Sequence, residues 1–326
     1  MTDVSPTESL KPLRTWSHLA GQRKRPSEYE IVTINTLFRA NEREALELAS
    51  DVPMNRWYKR HRAESRLQHD DWNAFRDPDA VTYRAYCTER DRDEVYVDGL
   101  LEQYAAQRHD AGLPADWVDR LAALYTPCRY LFHTTQMTSA YAVVMAPASP
   151  VVNCAVFQMG DAFRWLSRVA YRTAELGKTY PQSGFGKQER ARWEGAAEWQ
   201  GFREMMERLL ATYDWGESLI ALNCVALPAV DVALQQLKQD AVARNDGLTR
   251  FLIEAQLGNS ARRTRWMQAF LGFISQRPEN GAFVREVLGR WGPYGDRAVQ
   301  AYGDAFGAGR GAEAVVAQEE ARPRMP

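Results

Sequence analysis

Histidine and carboxylate side chains are the groups in this sequence that could support metal or acid–base chemistry, so their spacing is informative. A two-iron centre inside a helical bundle takes a Glu from each of two helices and a Glu-x-x-His motif from each of two others. Residues three apart share one helix face and can hold one metal ion. None of the five histidines has a carboxylate three residues before it; they are His18, His61, His69, His109 and His133. The sequence therefore predicts no such centre in this chain.

The remaining chemical motifs are also missing. The four cysteines are widely separated and form no Cys-x-x-Cys pair, which argues against zinc, iron–sulfur and redox sites. No glycine-rich phosphate loop and no Gly-x-Ser-x-Gly elbow occurs. Because the N-terminus has no signal-peptide pattern, we expect reduced thiols in a cytoplasmic protein. The sequence favours a binding partner over a catalyst.

The bulk composition narrows the class of partner. Lys and Arg total 41 against 42 Asp and Glu, so no long-range field favours nucleic acid or acidic lipid. No uninterrupted apolar run is long enough for a bilayer, and we expect no membrane contact. The 10 Trp, 14 Tyr and 12 Phe residues are typical of a thick helical core and a substantial protein interface.

Helical periodicity dominates from Asp77 onwards. Asp77-Pro78 resembles an N-cap followed by proline, and that helix should run to about residue 110. The next should run from Pro114 to about 145 with a kink at Pro127, and a later helix should bend at Pro228. We predict an all-α chain with an extended arm at 1–76, a helical domain at 77–306 and a loose, flexible tail at 307–326.

The third long helix has two stripes of side chains, one apolar and one charged, and they lead to different predictions. An apolar stripe alternates by four and three and predicts a heptad seam; it comprises Val152, Val156, Met159, Phe163, Leu166, Ala170 and Thr173. A charged stripe comprises Asp161, Arg164, Arg168, Arg172 and Glu175. The charged stripe has two interpretations that the sequence leaves open. It is either a solvated face or a charged network with another helix.

The arm is rich in aromatic rings but has no helical or strand period, so its rings must be buried against something else. Two surfaces are available, the chain's own body and another subunit. A basic cluster from Arg56 to Arg66 lies beside Trp57 and Tyr58. In a neutral chain it favours an acidic protein partner over nucleic acid.

Several separate stretches resemble one family. They are PLRTWSHL from Pro12, PMNRWY from Pro53, DDWNAFRDP from Asp70, RYLFH from Arg129, MAPAS from Met145, FRWL from Phe163 and DWGE from Asp214. Together they are similar to the hydroxylase β subunit of bacterial multicomponent di-iron monooxygenases, most of all the toluene, phenol and alkene group. The resemblance runs from about Leu10 to Tyr302.

The resemblance implies a fold, a set of partners and a division of labour. The fold would be a ferritin-like long-helix bundle of the ribonucleotide reductase type. The chain would join α and γ subunits in an (αβγ)2 assembly, and the di-iron centre would lie in the α subunit. FAD and iron–sulfur clusters would belong to separate ferredoxin and reductase components, and an effector protein would act on the complex. The reaction would hydroxylate or epoxidise a small aromatic (toluene, benzene or phenol) or an alkene, using O2 and electrons from NADH.

On this interpretation the chain has no catalytic, cofactor-binding or metal-binding residues of its own. The candidate partner-interface residues are Arg14, Trp16, His18, Tyr29, Trp57, Tyr58 and Trp72. Two alternatives remain open. One is an autonomous metal-dependent oxidase with an unusual ligand set, such as Glu217 with a core histidine, His133. The other is a helical scaffold of an unrelated complex.

Overall fold

The computed structural model describes Leu19, residues 25–36 and residues 53–325, and the regular structure in these residues is helical. The predicted all-α class is confirmed. The α-helices in chain order are α1 (Glu28–Thr33), α2 (Pro53–Tyr58), α3 (Tyr83–Ala106), α4 (Ala115–Arg120), α5 (Cys128–Met145), α6 (Ser149–Thr179), α7 (Glu189–Gly195), α8 (Ala197–Leu210), α9 (Trp215–Ala221), α10 (Leu227–Ala243), α11 (Gly247–Ile274), α12 (Pro278–Asp304) and α13 (Arg310–Ala321).

Four long helices, α5, α6, α10 and α11, form the centre of the molecule. Helices α5 and α6 pack side by side, α10 packs on α11, and α11 also contacts α6. Helix α3 lies along α11, while α8, α12 and α13 cover the opposite side. Four tryptophans are fully buried in this core: Trp117, Trp199, Trp215 and Trp266. Rings of this size fill the wide spaces between long helices and supply much of the apolar burial.

Two prolines interrupt long rods in the same way. A π-helical segment spans Leu121–Tyr125 before Pro127, and another spans Leu222–Ala226 before Pro228. Each segment ends two residues before its proline. A proline has no N–H to donate and its ring crowds the preceding turn, which a widened π turn relieves. The structure therefore confirms irregularities at the two positions where the sequence predicted a kink and a bend.

The start of α3 differs from the prediction. The helix begins at Tyr83, and the Thr82 hydroxyl caps it by accepting the Ala85 N–H at 3.2 Å. Ala80 has a φ of 46°, a left-handed conformation that a helix starting at Asp77 could not contain. Asp77 instead accepts the N–H of Asp79 at 3.1 Å in a local turn. Asp77-Pro78 therefore marks this local turn and not the start of the helix.

The C-terminal segment also differs from the expected loose tail. Residues 310–321 form α13, which packs on α12 and α10. Gln318 is buried and its Nε2 donates to the carbonyl of Val225 at 3.2 Å. A Cβ at Gly303 would lie 2.7 Å from the Cα of Gly311, so the small residues permit close helix contact. The Gly- and Ala-rich composition reflects tight packing here.

The segment Trp215–Ala243 is long and apolar enough to cross a membrane by composition alone. In the fold, however, 89% of its most apolar window is buried. Neighbouring helices cover it on several sides, because α9 and α10 contact α5, α11 and α12. Its apolar character is explained by its position in the core.

Asp246 holds the junction between α10 and α11. Its Oδ1 caps α11 by accepting the Thr249 N–H at 2.9 Å, and its Oδ2 accepts the Trp117 Nε1–H at 2.8 Å. His109 Nε2 lies 3.0 Å from Oδ1. Burial alone would raise the pKa of Asp246, but the hydrogen bonds from His109, Thr249 and Trp117 outweigh it and lower the pKa to about 2. The hydrogen-bond donors at this junction therefore stabilise the ionised form of the Asp246 carboxylate.

The substitution Asp246→Asn should make the free energy of unfolding less dependent on pH in acid. A carboxyl whose pKa is depressed in the folded state stabilises the fold above its unfolded pKa and loses that contribution as pH falls from about 4 towards 2. The shift corresponds to about 2 kcal/mol. Urea unfolding at pH 6 and at pH 3 measures it, with the exposed Asp119→Asn as the control. Identical pH profiles for wild type and Asp246→Asn would contradict this assignment.

Candidate partner interface and bundle centre

Trp57 is one of the predicted interface residues, and it lies half-buried against the chain's own body. Its Nε1 donates to the Tyr141 hydroxyl at 3.1 Å, and that hydroxyl donates to the Tyr213 carbonyl at 2.7 Å. The Trp57 ring also lies 4.9 Å from the ring of Tyr213 and 4.4 Å from that of His61. Burial raises the pKa of Tyr141 to about 12, so its hydroxyl keeps the proton that it donates.

Trp72 and Tyr29 likewise join the arm to the helical body. The edge of Trp72 meets Trp215 at 5.1 Å, and its face stacks near Phe270. Tyr29 is buried, its hydroxyl accepts the N–H of Asp77 at 3.1 Å, and burial raises the pKa of this phenol. Of the two surfaces left open by the sequence, the described arm residues use the chain's own body. This leaves their role toward another subunit as a prediction.

The other predicted interface residues do not extend this picture. Tyr58 is half-buried, with the guanidinium of Arg62 4.5 Å above its ring. Arg14, Trp16 and His18 lie outside the residues that the structure describes. The seven residues therefore stay a predicted interface, of which the structure describes Tyr29, Trp57, Tyr58 and Trp72.

The basic cluster beside Trp57 makes contacts within the chain. Arg66 Nη1 donates to Glu286 Oε2 at 2.7 Å, and the Lys59 ammonium lies 4.0 Å from the Glu64 carboxylate. Desolvation, followed by the charge of Arg60, lowers the pKa of His61. These internal pairs account for part of the positive charge that the sequence assigned to an acidic partner.

Glu217 and His133, the ligand pair considered for an autonomous oxidase, have unrelated surroundings. Glu217 lies in the first turn of α9, and its Oε1 accepts hydrogen bonds from Arg290 and from Trp291 Nε1. His133 is exposed on α5, whereas the sequence predicted a buried, hydrogen-bonded histidine. The reason is that α5 turns the side that carries His133 and Met137 away from the bundle core.

The charged stripe of α6 forms a network with α3, which decides between its two interpretations. Arg164 Nη2 donates to Glu94 Oε1 at 2.5 Å, and Arg168 contacts the other oxygen of Glu94 and the Asp98 carboxylate. Both arginines are mostly shielded from solvent. The side chains that the sequence allowed to be solvated instead link two helices.

Arg172 is the most deeply buried member of this network, with 1% of its side chain exposed. Its two Nη atoms donate to the two oxygens of Asp110 at 2.5 and 2.6 Å. Burial alone would lower the pKa of this guanidinium, but the paired hydrogen bonds with Asp110 raise it above its usual value. Such a fork-to-fork pair fixes both distance and angle between its two elements.

The apolar stripe of α6 is not one continuous internal seam, because it is divided between core and surface. Thr173 is buried, and Val152 and Leu166 pack against the core. Phe163 is 57% exposed and Ala170 is exposed, while Val156 and Met159 are half-buried. The inward face of α6 is a different set, including Val151, Cys154, Ala155, Gln158, Ala162, Trp165 and Val169. The predicted heptad seam is therefore covered only in part, and its exposed part lies around Phe163 and Ala170.

Neighbouring helices extend this apolar surface. The described part of the chain has thirteen exposed large hydrophobic residues, and seven of them lie on α3, α5 and α6; these are Tyr83, Val95, Tyr96, Met137, Val144, Phe163 and Tyr171. Scattered exposed apolar residues are ordinary, but a concentration on adjoining helices marks an interaction surface. We call the outward faces of α3, α5 and α6 the three-helix face.

A cavity of about 60 Å³ lies between α5, α6, α10 and α11, and apolar and polar side chains line it together. Its polar lining includes Thr135, Gln158, Asp161, Asp231, Gln256, Asn259, Ser260, Arg262 and Arg263. Sequence reasoning missed this set because it searched from the histidines, and the cavity contains none. Regular spacing of polar residues on otherwise buried helices was the available signal.

Comparisons with known proteins identify the family. A family model described as methane/phenol/alkene hydroxylase matches residues 55–278. The β subunit of the hydroxylase component of the toluene-4-monooxygenase system from Ectopseudomonas mendocina is 45% identical over 297 residues, covering 90% of this chain and 91% of that protein. The chain belongs to this hydroxylase family. It is a hydroxylase subunit of the multicomponent monooxygenase type, as the resemblance predicted.

Solved structures agree with the fold of this hydroxylase subunit. A chain of toluene 4-monooxygenase, in a structure with toluene in the resting active site, matches with a TM-score of 0.85 at 44% identity, covering 90% of this chain and 98% of that one. Xenon-pressurised phenol hydroxylase from Pseudomonas sp. OX1 matches with a TM-score of 0.79 at 18% identity, covering 98% and 95%, which supports the fold alone. The predicted ferritin-like helical architecture is confirmed.

The two irons of this enzyme family do not fit the centre of this subunit. A two-iron bundle site needs four carboxylates and two histidines, whereas this cavity offers the carboxylates of Asp161 and Asp231 and two arginines. Across the described ranges there is no group of three or more His, Cys, Asp or Glu residues that could hold a metal ion. The donor set here suits buried ion pairs.

The substitution Arg172→Met should lower the free energy of unfolding by about 3 to 5 kcal/mol, because it leaves the Asp110 carboxylate partly buried without its partner. The double variant Arg172→Met/Asp110→Asn should recover part of that loss, since it removes the uncompensated charge. Chemical denaturation of wild type, Arg172→Met and the double variant measures these free energies of unfolding. Arg190→Met, in the exposed pair with Glu194, is the matched control and should behave as wild type. A cost no larger than that of the control would contradict the structural role of Arg172.

Proposed function

We propose that this hydroxylase subunit is the non-catalytic β chain of a di-iron monooxygenase and acts by supporting the catalytic α subunit. The three-helix face carries the proposal. A structural subunit needs a preformed interaction surface, and this chain exposes seven large hydrophobic residues on helices whose positions are fixed by buried ion pairs. The cavity at the bundle centre lacks the donors for its own two-iron site, so oxygen chemistry would belong to the partner.

The size of the face suits a stable complex. Helix α6 has 31 residues, which at 1.5 Å per residue is about 46 Å. Three helices side by side at 8–10 Å spacing give a face of roughly 1,000 Å². Stable protein interfaces bury about 800 Å² on each partner. The exposed aromatic residues Phe163, Tyr171 and Tyr96 are the kind that dominate such interfaces.

The assembly that we propose is (αβγ)2, with the two irons in α. An effector protein, a ferredoxin and a reductase carrying FAD and iron–sulfur clusters would act on the complex in the cytoplasm. The substrate would be a small aromatic such as toluene or phenol, or an alkene, in line with the relatives' names. Trp57 and Trp72 could still contribute to the interface at their half-exposed edges, and Trp16 stays a candidate anchor.

The substitution Phe163→Glu should weaken assembly with the other hydroxylase subunits by about 10-fold or more, the loss expected when a central aromatic anchor is replaced by a charge. The isolated chain should keep its thermal midpoint, because Phe163 makes no core contact. Val316 on α13 is equally exposed at 57%, and Val316→Glu is the matched control. Co-purification and sedimentation of co-expressed subunits measure the effect. Equal assembly of the two variants would remove the three-helix face as the docking surface.

The isolated full-length chain, supplied with Fe²⁺ and an electron donor, should retain substoichiometric iron and consume no O2. The reason is the lack of a histidine and of a carboxylate cluster in the cavity. Metal analysis after gel filtration and an oxygen electrode measure these two properties. Glu217→Ala should change neither. Stoichiometric iron that disappears in Glu217→Ala would favour the autonomous oxidase instead.

A further inference from the structure

The cavity at the bundle centre contains two polar pairs with the spacing of a metal motif. Gln158 and Asp161 on α6 are three residues apart, and so are Gln256 and Asn259 on α11. The local sequences are Gln-Met-Gly-Asp and Gln-Leu-Gly-Asn. A two-metal bundle site takes a Glu-x-x-His from each of two helices and a single carboxylate from each of the other two. Both pairs therefore stand where those motifs would stand.

The other two helices match the pattern of a two-metal bundle site only in part. Helix α10 contributes the single carboxylate of Asp231, while α5 contributes Thr135 and Phe132 to the lining and no carboxylate. Amides thus occupy the two Glu positions of the motifs, and Asp161 and Asn259 occupy the two His positions. All four helices keep their places around the cavity, but the ligand set is incomplete.

The amides are poorly matched to a purely structural role. Gln256 is 5% exposed, and neither its Oε1 nor its Nε2 has a hydrogen-bond partner. Gln158 donates to the Ser139 hydroxyl at 3.1 Å, but its Oε1 has no partner. Burying unpaired amide groups costs free energy, so these groups require an explanation such as a bound ion, a ligand or a water molecule.

Guanidinium groups supply positive charge in this cavity. Arg263 Nη2 donates to Asp231 Oδ2 at 2.6 Å, and Ser260 Oγ donates to Oδ1 of the same carboxylate at 2.7 Å. Arg262 Nη2 lies 3.5 Å from Asp161 Oδ2, while its Nε and Nη1 have no hydrogen-bond partner. Two carboxylates are thus balanced by two arginines from consecutive positions of α11.

Other elements place further charged groups around Asp161. From α3, Tyr86 donates to Asp161 Oδ1 at 3.0 Å and Arg90 Nη1 lies 3.4 Å from the same oxygen. From α6, Arg164 Nη1 lies 3.5 Å away, although its stronger contact is with Glu94. Asp161 is therefore held as an anion from several sides.

We propose that this cavity is a former two-cation centre in which the guanidiniums of Arg262 and Arg263 take the place of the metal ions. Gln158, Asp161, Gln256 and Asn259 keep the motif positions, and the arginines neutralise the remaining carboxylates. A cation arriving in the cavity meets two fixed positive charges, so the chain cannot compete with a catalytic partner for iron. The inference rests on the family assignment but not on the three-helix face, so failure of the Phe163 experiment leaves it standing.

The first test removes the two charges in the isolated full-length chain. In the variant Arg262→Gln/Arg263→Gln, Asp231 has no arginine partner and Asp161 keeps only its contacts with Arg90 and Arg164. The cavity then offers two carboxylates and the neutral oxygens of Thr135, Gln158, Gln256, Asn259 and Ser260, a donor set that suits a hard divalent cation. Its thermal midpoint should lie below that of wild type and should rise by about 3 °C or more in 1 mM MnCl2. Wild type should show no rise, and sodium chloride at equal ionic strength should affect neither. A folded double variant without a response to Mn²⁺, or an equal response in wild type, would overturn the proposal.

A second variant keeps the proposal testable if the first does not fold. Asp161→Asn/Asp231→Asn/Arg262→Gln/Arg263→Gln has an uncharged cavity, so it should be more stable than Arg262→Gln/Arg263→Gln and should not respond to Mn²⁺. If it is no more stable, the carboxylates did not need the guanidiniums, and the proposal fails.

A third variant tests the motif positions themselves. In the Arg262→Gln/Arg263→Gln background, Gln158→Glu, Asp161→His, Gln256→Glu and Asn259→His together should bind Mn²⁺ at least about 10-fold more tightly, because carboxylate and imidazole are stronger ligands than amide. Loss of the free Mn²⁺ signal in electron paramagnetic resonance measures binding. Leu257→His in the same background is the control, since it creates a Glu-x-x-His sequence from Glu254 outside the cavity. Equal affinity in the two variants would show that the motif positions are not special.

Discussion

Charge buried inside a helical bundle has to be neutralised where it lies, and this constraint shapes the whole molecule. The energetic cost of an isolated buried carboxylate or guanidinium is several kcal/mol. The chain meets it with paired groups: Arg172 with Asp110, Arg263 with Asp231, and Asp161 with arginines from α3, α6 and α11. Because each pair joins two elements, the neutralisation also fixes how the helices lie against one another.

The same constraint separates this chain from a catalytic subunit of similar architecture. A two-iron bundle balances its carboxylates with metal ions, which can change charge and bind oxygen. Here guanidinium groups provide the balance, and a guanidinium has a fixed charge and no open coordination position. The helical frame is retained, while the centre has lost the groups that redox chemistry needs. What remains for function is the surface of the frame.

That surface is a consequence of how the long helices are divided between inside and outside. Helix α6 buries one stripe in the core, uses a second for the charged network with α3, and leaves a third exposed around Phe163. For its own stability the chain needs only the buried stripe and the charged stripe of this helix. In the function that we propose, this exposed stripe contacts a partner subunit of the hydroxylase complex.

The sequence by itself determined the helical class, the prolines that disturb α4–α5 and α9–α10, the family and the missing Glu-x-x-His motif. These are local properties, because periodicity, a missing N–H and residue spacing are carried by short stretches of chain. It misjudged the tail, the start of α3 and the environment of His133. In each case the outcome depended on packing. Helix α13 packs on α12, the left-handed backbone of Ala80 changes the direction of the chain, and α5 has His133 on its exposed side.

Only the tertiary structure decided what the stripes of α6 contact and what lies at the bundle centre. The pairs Gln158–Asp161 and Gln256–Asn259 are almost a hundred residues apart in sequence. A single pair of polar side chains three residues apart indicates no particular chemistry by itself. Their meaning appears when two helices face each other across one cavity. Ion pairs such as Arg172 with Asp110 are likewise distant in the chain, so the choice between a solvated face and a buried network needed the fold.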